Sequence, residues 1–326
     1  LEVALKLAAF ALLLAAVACS ASTPTRQAPS ASASGSTAQK APSGAPSRLQ
    51  DLLSAEQRRD SRAVTDDDIS HRDVRVRRAA ARALARIADR RSREPLLRLL
   101  ADEDPEVIAF AAYGLGYGCK DGEPELVRSL AARAASLVTR PAPLADAKLT
   151  PLPAIADALG RCASADAERT LRAWLTLDRD LAEASAAALG RIASRKGRLD
   201  DASLVALLDA AARPNGLDRA LFAFTRLSGL GASVRSRLLD VAKQELESSG
   251  VKATLALRAL PAAGEEAAPL LGRALGDARI PSASRAEVAR SLGRLDGPGQ
   301  AALRTALAAF PAAPPLEGPD HTVLMA

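Results

Sequence analysis

The residues able to do chemistry are few, and their spacing limits what they can do. There are three cysteines (Cys19, Cys119 and Cys162) and two histidines (His71 and His321), the histidines about 250 positions apart. No pair of them has the spacing of a zinc site, so no metal and no cofactor is expected. A Gly-x-Ser-x-Gly elbow and a phosphate-binding loop are both missing from the sequence. "GLGYG" (114–118) is glycine-rich, but it follows no strand and lacks the third glycine of a dinucleotide fingerprint. Carboxylate pairs such as Asp66–Asp68 and Glu265–Glu266 fall at turns or helix starts, where acids are ordinary. No residue is assigned a catalytic role.

The abundant chemistry is arginine. The phrase "AAALGRIA" (186–193) returns as "DALGRCA" (157–163) and "RSLGRLD" (290–296). Aligned on its central apolar residue, it occurs seven times, at Leu84, Leu115, Leu159, Leu189, Phe224, Leu257 and Leu292. The spacings are 31, 44, 30, 35, 33 and 35 residues. Two positions after the anchor stand Arg86, Arg161, Arg191, Arg226 and Arg294, with Tyr117 and Ala259 breaking the series. On a helix that position lies about 200° from the anchor, so it points away from whatever core the anchor enters. Two readings stay open for this row: solvated surface near helix C-termini, where cations are favoured, or a column that binds a partner. A second basic cluster, Arg75, Arg78, Arg82 and Arg86, follows at helical spacing, with Arg72, Arg77, Arg90, Arg91 and Arg93 nearby. It reads as a solvated cationic face or as a contact for an anionic partner, either lipid headgroups or an acidic protein.

The elements that must carry these residues are helices. The 326-residue chain is 48% hydrophobic but only 2% aromatic, and its apolar content is dominated by the strong helix formers Ala and Leu. A net charge of +6 suits solubility or an anionic partner. Between the anchors lie further segments with apolar residues at three and four, such as "PELVRSLAARAASLV" (124–138) and "AERTLRAWLTL" (167–177). A period in the thirties therefore predicts stacked helix pairs, each too small to bury its face alone. The residue after the anchor is Gly116, Gly160, Gly190 or Gly293, and Ala85 in another copy, which lets neighbouring helices approach closely. Anchor-plus-three (Ile87, Cys162, Ile192, Leu227, Leu295) returns to the core.

"RDVRVRRAAARALARIAD" (72–89) and "EDPEVIAFAAYGLGYG" (103–118) share Asp, then Val three residues later, then the anchor eight beyond. Asp73 and Asp104 stand where N-caps are wanted. This pattern resembles the HEAT family, in particular its short bacterial, phycobilisome-lyase-type relatives. The resemblance covers roughly 48–326 and is weaker over 215–280. It implies an all-α fold, a right-handed α-solenoid of about seven to eight HEAT-like helix pairs, with the anchor in the second helix of each pair and the second helices lining a concave wall. It implies no particular function.

Residues 1–19, "LEVALKLAAFALLLAAVAC", carry one lysine, then an apolar run ending in small residues before Cys19. This resembles the signal and lipobox of bacterial lipoproteins. It implies a lipid anchor on Cys19 and, with Ser20 following, an outer-membrane position facing the periplasm. Residues 20–47 lack Leu, Ile, Val and aromatics up to Ser47, which predicts a disordered Ala/Ser/Pro-rich tether, spanning roughly 30 Å. The solenoid is expected over 48–326. Export sets nucleic acid aside and admits a disulfide; for Cys119 and Cys162, core-packed thiols are favoured over a bridge. "TRPAPLADAKLTPLP" (139–153) accounts for the one long spacing and predicts a rim loop. "DHTVLMA" (320–326) repeats the Asp-x-x-Val beginning, so an eighth repeat is expected to be cut short; with Leu at position 1, a fragment or an alternative start is expected.

The function expected is a membrane-tethered scaffold for a protein partner, non-catalytic in this segment. A second expectation comes from arrangement. A lipoprotein signal, a leash and Ala/Arg-rich repeats resemble the front of bacterial proteins that end in a cyclophilin-type peptidyl-prolyl isomerase, whose catalytic domain would lie beyond Ala326.

Overall fold

A computed structural model of the chain describes residues 45–119, 123–139, 149–246, 251–277 and 279–308. Among the described residues there are fifteen α-helices and no strand. The first seven are α1 (Ala45–Arg58), α2 (Asp66–Ile69), α3 (Val74–Ile87), α4 (Arg93–Leu99), α5 (Pro105–Gly118), α6 (Pro124–Thr139) and α7 (Pro151–Cys162). Then come α8 (Ala165–Trp174), α9 (Arg179–Lys196), α10 (Asp201–Ala212), α11 (Ala232–Glu245), α12 (Val251–Ala259), α13 (Ala268–Gly276), α14 (Ser282–Gly293) and α15 (Gly297–Ala308).

The caps are those the local sequence dictates. Asp73 accepts the Arg75 N–H at 2.9 Å, and Asp104 accepts those of Glu106 and Val107 at 3.1 and 3.0 Å. Pro105 and Pro151 occupy first-turn positions, where a missing N–H costs nothing. Both α3 and α7 end on a left-handed alanine, Ala88 (φ 47°) and Ala163 (φ 53°), while α9 ends on Gly197 (φ 69°).

Helix α1 and the anchor-bearing elements stack as one layer, α1–α3–α5–α7–α9, then the 3-10 turn Ala220–Arg226, then α12 and α14. Helices α4, α6, α8, α10, α11, α13 and α15 form the second layer. The fold is an all-α solenoid of helix pairs. All seven anchors are buried between the layers, and so are Ile87, Cys162, Ile192, Leu227 and Leu295 at anchor-plus-three. Burying each anchor contributes about 1.5–3 kcal/mol.

The small residues beside the anchors set the stacking distance. A Cβ on Gly114 would lie 2.6 Å from the Cα of Ala85, and one on Gly116 would lie 2.7 Å from that of Ala158. Gly160 meets Ala188 in the same way, and Gly190 meets the Phe222 ring. The residue after one anchor thus touches the stretch just before the next. Gly293 departs from this: nothing comes closer to its Cβ position than Leu303 at 4.0 Å.

One anchor does not sit in a regular helix. Phe224 lies in the 3-10 turn Ala220–Arg226. Pro214, Gly216, Gly229 and Gly231 bracket this segment. The helix bearing Leu257 is also short and passes into a 3-10 stretch, Leu260–Ala267, with Gly264 at φ 71°.

Candidate functional site

The anchor-plus-two row faces outward. Arg86, Arg191, Arg226 and Arg294 are exposed and Arg161 is partly covered, whereas Ala259 is buried. The row is not a line of free cations. Glu56 of α1, its side chain 8% exposed, accepts from Arg82 Nε at 2.9 Å and from Arg86 Nη1 at 2.7 Å. Asp157 of α7 accepts from its own Arg161 Nε at 2.7 Å and pairs with Arg191 of α9 at 2.5 Å. Glu287 of α14 pairs with Arg258 at 2.9 Å and Arg290 at 3.3 Å. In each junction one carboxylate holds two guanidiniums, and at least one of the two belongs to a neighbouring helix of the layer. Arg294 also donates to the Arg258 carbonyl at 3.5 Å.

The basic cluster on α3 is paired as well. Arg75 holds Asp73 at 2.7 Å, and Arg78 reaches Asp104 at 2.6 Å and Glu106 at 2.9 Å. Arg77 forks onto Asp102 at 2.7 and 3.0 Å. Burial works against the Asp104 carboxylate, but the Arg78 hydrogen bond and two backbone N–H groups outweigh it and hold its pKa below the ordinary value. Arg77 and Arg78 tie α3 to the start of α5, Arg82 and Arg86 tie it to α1, and the Arg75 and Arg86 side chains stay largely exposed.

Four positions before each outward arginine is a second outward position, anchor-minus-two, which the sequence reading passed over. It carries Arg82, Tyr113, Asp157, Phe222 and Arg290. The signal was present, since residues four apart share a helix face. On α5 the two positions are Tyr113 and Tyr117, 38% and 51% exposed. Their rings meet edge-on with centroids 4.8 Å apart, and the Tyr113 hydroxyl donates to that of Tyr117 at 3.0 Å. The Arg161 guanidinium of α7 lies 4.1 Å from the Tyr117 centroid and 5.4 Å from that of Tyr113. The Tyr113 hydrogen bond and the Arg161 charge hold the Tyr117 pKa down, and the same hydrogen bond pushes Tyr113 up. Tyr113, Tyr117, Arg161, Asp157 and Arg191 therefore form one polar chain across three helices. Arg226 repeats the aromatic contact in small, 5.8 Å from the Phe222 centroid.

Cys119 and Cys162 are joined by a disulfide, their Cα atoms 5.1 Å apart. The core-packed thiols favoured from sequence are thereby corrected. The two cysteines end α5 and α7, and the glycine–alanine contact between those helices brings their ends into bridging range.

The remaining chemical candidates are structural. His71 Nδ1 accepts the Asp73 N–H at 3.0 Å. Asp68 is buried against Arg48, whose Nε donates at 2.6 Å, and Asp66 pairs with Arg98. Glu266 pairs with Arg235 at 3.0 Å. A hollow at the N-termini of α7 and α9 is satisfied internally. There Arg179 donates to the Asn215 carbonyl at 2.6 Å, and Glu183 accepts two backbone N–H groups, from Asp218 and Arg219. Among the described residues no group of three or more metal-ligating side chains converges, and no helix is long and apolar enough to cross a membrane. Cys19, the signal (1–19), nearly all of the tether (20–47), the insertion from 140 to 148, His321 and the final Asp-x-x-Val stretch lie outside the described residues. The expected isomerase domain concerns residues beyond Ala326.

A family model described as HEAT repeats matches residues 68–140. No curated protein matches the chain. Among solved structures, an engineered protein is similar at 20% identity and a TM-score of 0.40, covering 73% of this chain and 69% of that one. The complex of CpcE and CpcF of phycocyanin lyase from Nostoc sp. PCC7120 is similar at 16% identity and a TM-score of 0.39, covering 88% and 100%. Human deoxyhypusine hydroxylase in complex with glycerol is similar at 17% identity and a TM-score of 0.33, covering 86% and 95%.

Proposed function

We propose that this chain is a membrane-tethered scaffold that presents the outward face of its anchor-bearing helices to a protein partner, with no catalysis in this segment. The observation that carries the reading is the Tyr113–Tyr117–Arg161–Asp157–Arg191 chain. It has Tyr113, Tyr117 and Arg191 exposed, it crosses three helices, and it is rich in tyrosine and arginine, residue types enriched in protein–protein contacts. The HEAT-repeat match over 68–140 covers the first of those helices. Tethering is supported by the lipobox-like run before Cys19, and export by the Cys119–Cys162 disulfide, a bond that persists in oxidising compartments.

The test uses a photo-crosslinking residue at Ala187, a half-buried anchor-minus-two position on the same face. In cell-envelope preparations it is expected to give a discrete adduct, and the double change Arg161→Glu, Arg191→Glu is expected to remove it. Persistence of the adduct in that variant would overturn the assignment of the face. Cys19→Ser is expected to release the protein from the membrane fraction; retention there would overturn the tether.

A further inference from the structure

Helix α1 and the anchor-bearing helices run parallel, because like ends meet. Arg59 just beyond α1 donates to the Ile87 carbonyl at the end of α3, and Arg78 meets Asp104 near the starts of α3 and α5. Arg161 lies on Tyr117 near the ends of α5 and α7. The N-termini of these helices therefore share one rim, and α1 begins there at Ala45.

That rim carries four of the seven large apolar side chains exposed among the described residues: Val138, Leu149, Leu177 and Val251, the last 65% exposed. The other three, Leu53, Tyr113 and Tyr117, lie on the outward face. The rim group surrounds the hollow at the N-termini of α7 and α9. Val251 lines it, and Val138, Leu149 and Leu177 each stand one residue from a lining residue, Leu137, Thr150 or Asp178. Scattered apolar residues are ordinary on a surface, whereas a group around one hollow marks a contact. The charged lining is acidic: Asp178, Asp180, Glu183 and Asp218 stand against Arg179 and Arg219.

We propose that this rim rests on a lipid bilayer. Val138, Leu149, Leu177 and Val251 enter the headgroup layer, and the carboxylates of the hollow meet the ammonium groups of zwitterionic lipid. The place of the tether selects this partner. Residues 20–44 separate Cys19 from Ala45, and a flexible chain of that length spans about 25–30 Å. A lipid on Cys19 keeps this rim within that reach. The opposite rim lies farther off by a helix length, about 20 Å for the 14 residues of α3. Tethering makes the contact intramolecular, so a few partly inserted side chains suffice. Tyr117, Arg161 and Arg191, toward the far ends of their helices, stay clear of the lipid for a protein partner. The inference rests on the tether proposed above and specifies the orientation that it imposes.

The experiment reconstitutes the full lipidated chain on vesicles of phosphatidylethanolamine and phosphatidylcholine. A fluorescent residue replaces Val251, Leu177 or, as the control on the opposite rim, the exposed Arg91. Lipids brominated along the acyl chain are expected to quench the probes at 251 and 177 and to leave the probe at 91 unchanged. Val138→Asp with Leu177→Asp, both at exposed positions, is expected to lower the docked-to-undocked ratio read at 251 about tenfold. Replacing part of the lipid with phosphatidylglycerol is expected to weaken quenching at 251, and added salt to restore it. Equal quenching at all three positions, or none at 251 and 177 in a chain that floats with the vesicles, would overturn the rim contact and leave the tether standing. Quenching at 91 that rises with phosphatidylglycerol would assign the bilayer to the cationic side and overturn the rim contact. A chain that does not float with the vesicles would overturn both.

Discussion

The α3–α5 and α5–α7 junctions share one stacking device and differ in everything laid over it. In the first, Ala85 touches Gly114; in the second, Gly116 touches Ala158. Beyond that contact, α3–α5 is closed by arginine–carboxylate pairs that cancel one another, and Glu56 adds a similar pair between α1 and α3. The α5–α7 junction is closed by a disulfide and by Arg161 on two tyrosines. The small-residue contact and the anchor suffice to stack the layer, so the outward positions are free to be glue in one junction and surface in the next.

The comparison can be broken most directly at the disulfide. In the chain-entropy description, opening a bridge between residues 43 apart costs about 4 kcal/mol. Cys119→Ser with Cys162→Ser is expected to lower the unfolding free energy by that order in urea melts. Glu56→Gln, which weakens the ion-pair closure, is expected to cost only about 1 kcal/mol. A loss for Glu56→Gln as large as for the cysteine pair would show that the two closures are equivalent.

The shared device comes next. Gly116→Leu places side-chain atoms against the Ala158 backbone and is expected to cost about 1–3 kcal/mol. Gly293→Leu meets open space and is expected to be neutral within about 0.5 kcal/mol. Thermal melts of the two variants separate stacking from helix propensity.

Acid sharpens the difference further. Burial pushes the Asp68 carboxyl up, but the hydrogen bonds from Arg48 and Thr65 hold it below the ordinary value, and Asp104 behaves likewise with Arg78. Groups with depressed folded-state pKa values stabilise the fold fully above the unfolded value of about 4, and the contribution is lost as pH falls through the folded value. Hydrogen exchange is therefore expected to accelerate below about pH 4 in α1–α3 and the first turn of α5, which Asp104 caps, before α7, whose disulfide does not titrate. Simultaneous acceleration would contradict this.

The smallest effect is local. Ala88 and Ala163 occupy left-handed backbone that glycine adopts without strain, so each change to Gly is expected to add about 1 kcal/mol. Cys119, at the equivalent repeat position, has φ −73° and gives no such gain.

The elements were largely legible because their causes are local. Asp73 and Asp104 cap the helices they precede, the seven anchors are buried, and the glycines after three of them meet a neighbouring helix. Phe224 shows where periodicity misleads. The phrase survives there but lies in a 3-10 turn, and Phe222 fills the space beside Gly190 that a small residue fills elsewhere.

The site was half legible. The arginine row could be placed on an outward face, but its tyrosines and carboxylates were not connected to it. Arg82 reaches Glu56 across 26 residues of chain, and Arg191 reaches Asp157 across 34.

The sequence by itself determined the helices, their order and the face each one buries. Those follow from apolar spacing, caps and small residues within a turn or two of one another. Only the tertiary structure decided which carboxylate each arginine meets, which arginine lies on the tyrosines and which cysteines pair. Coulomb attraction, cation–π contact and a covalent bridge all depend on side-chain separations of a few ångströms. In a solenoid, those separations are set by how each repeat stacks on the one about thirty residues away.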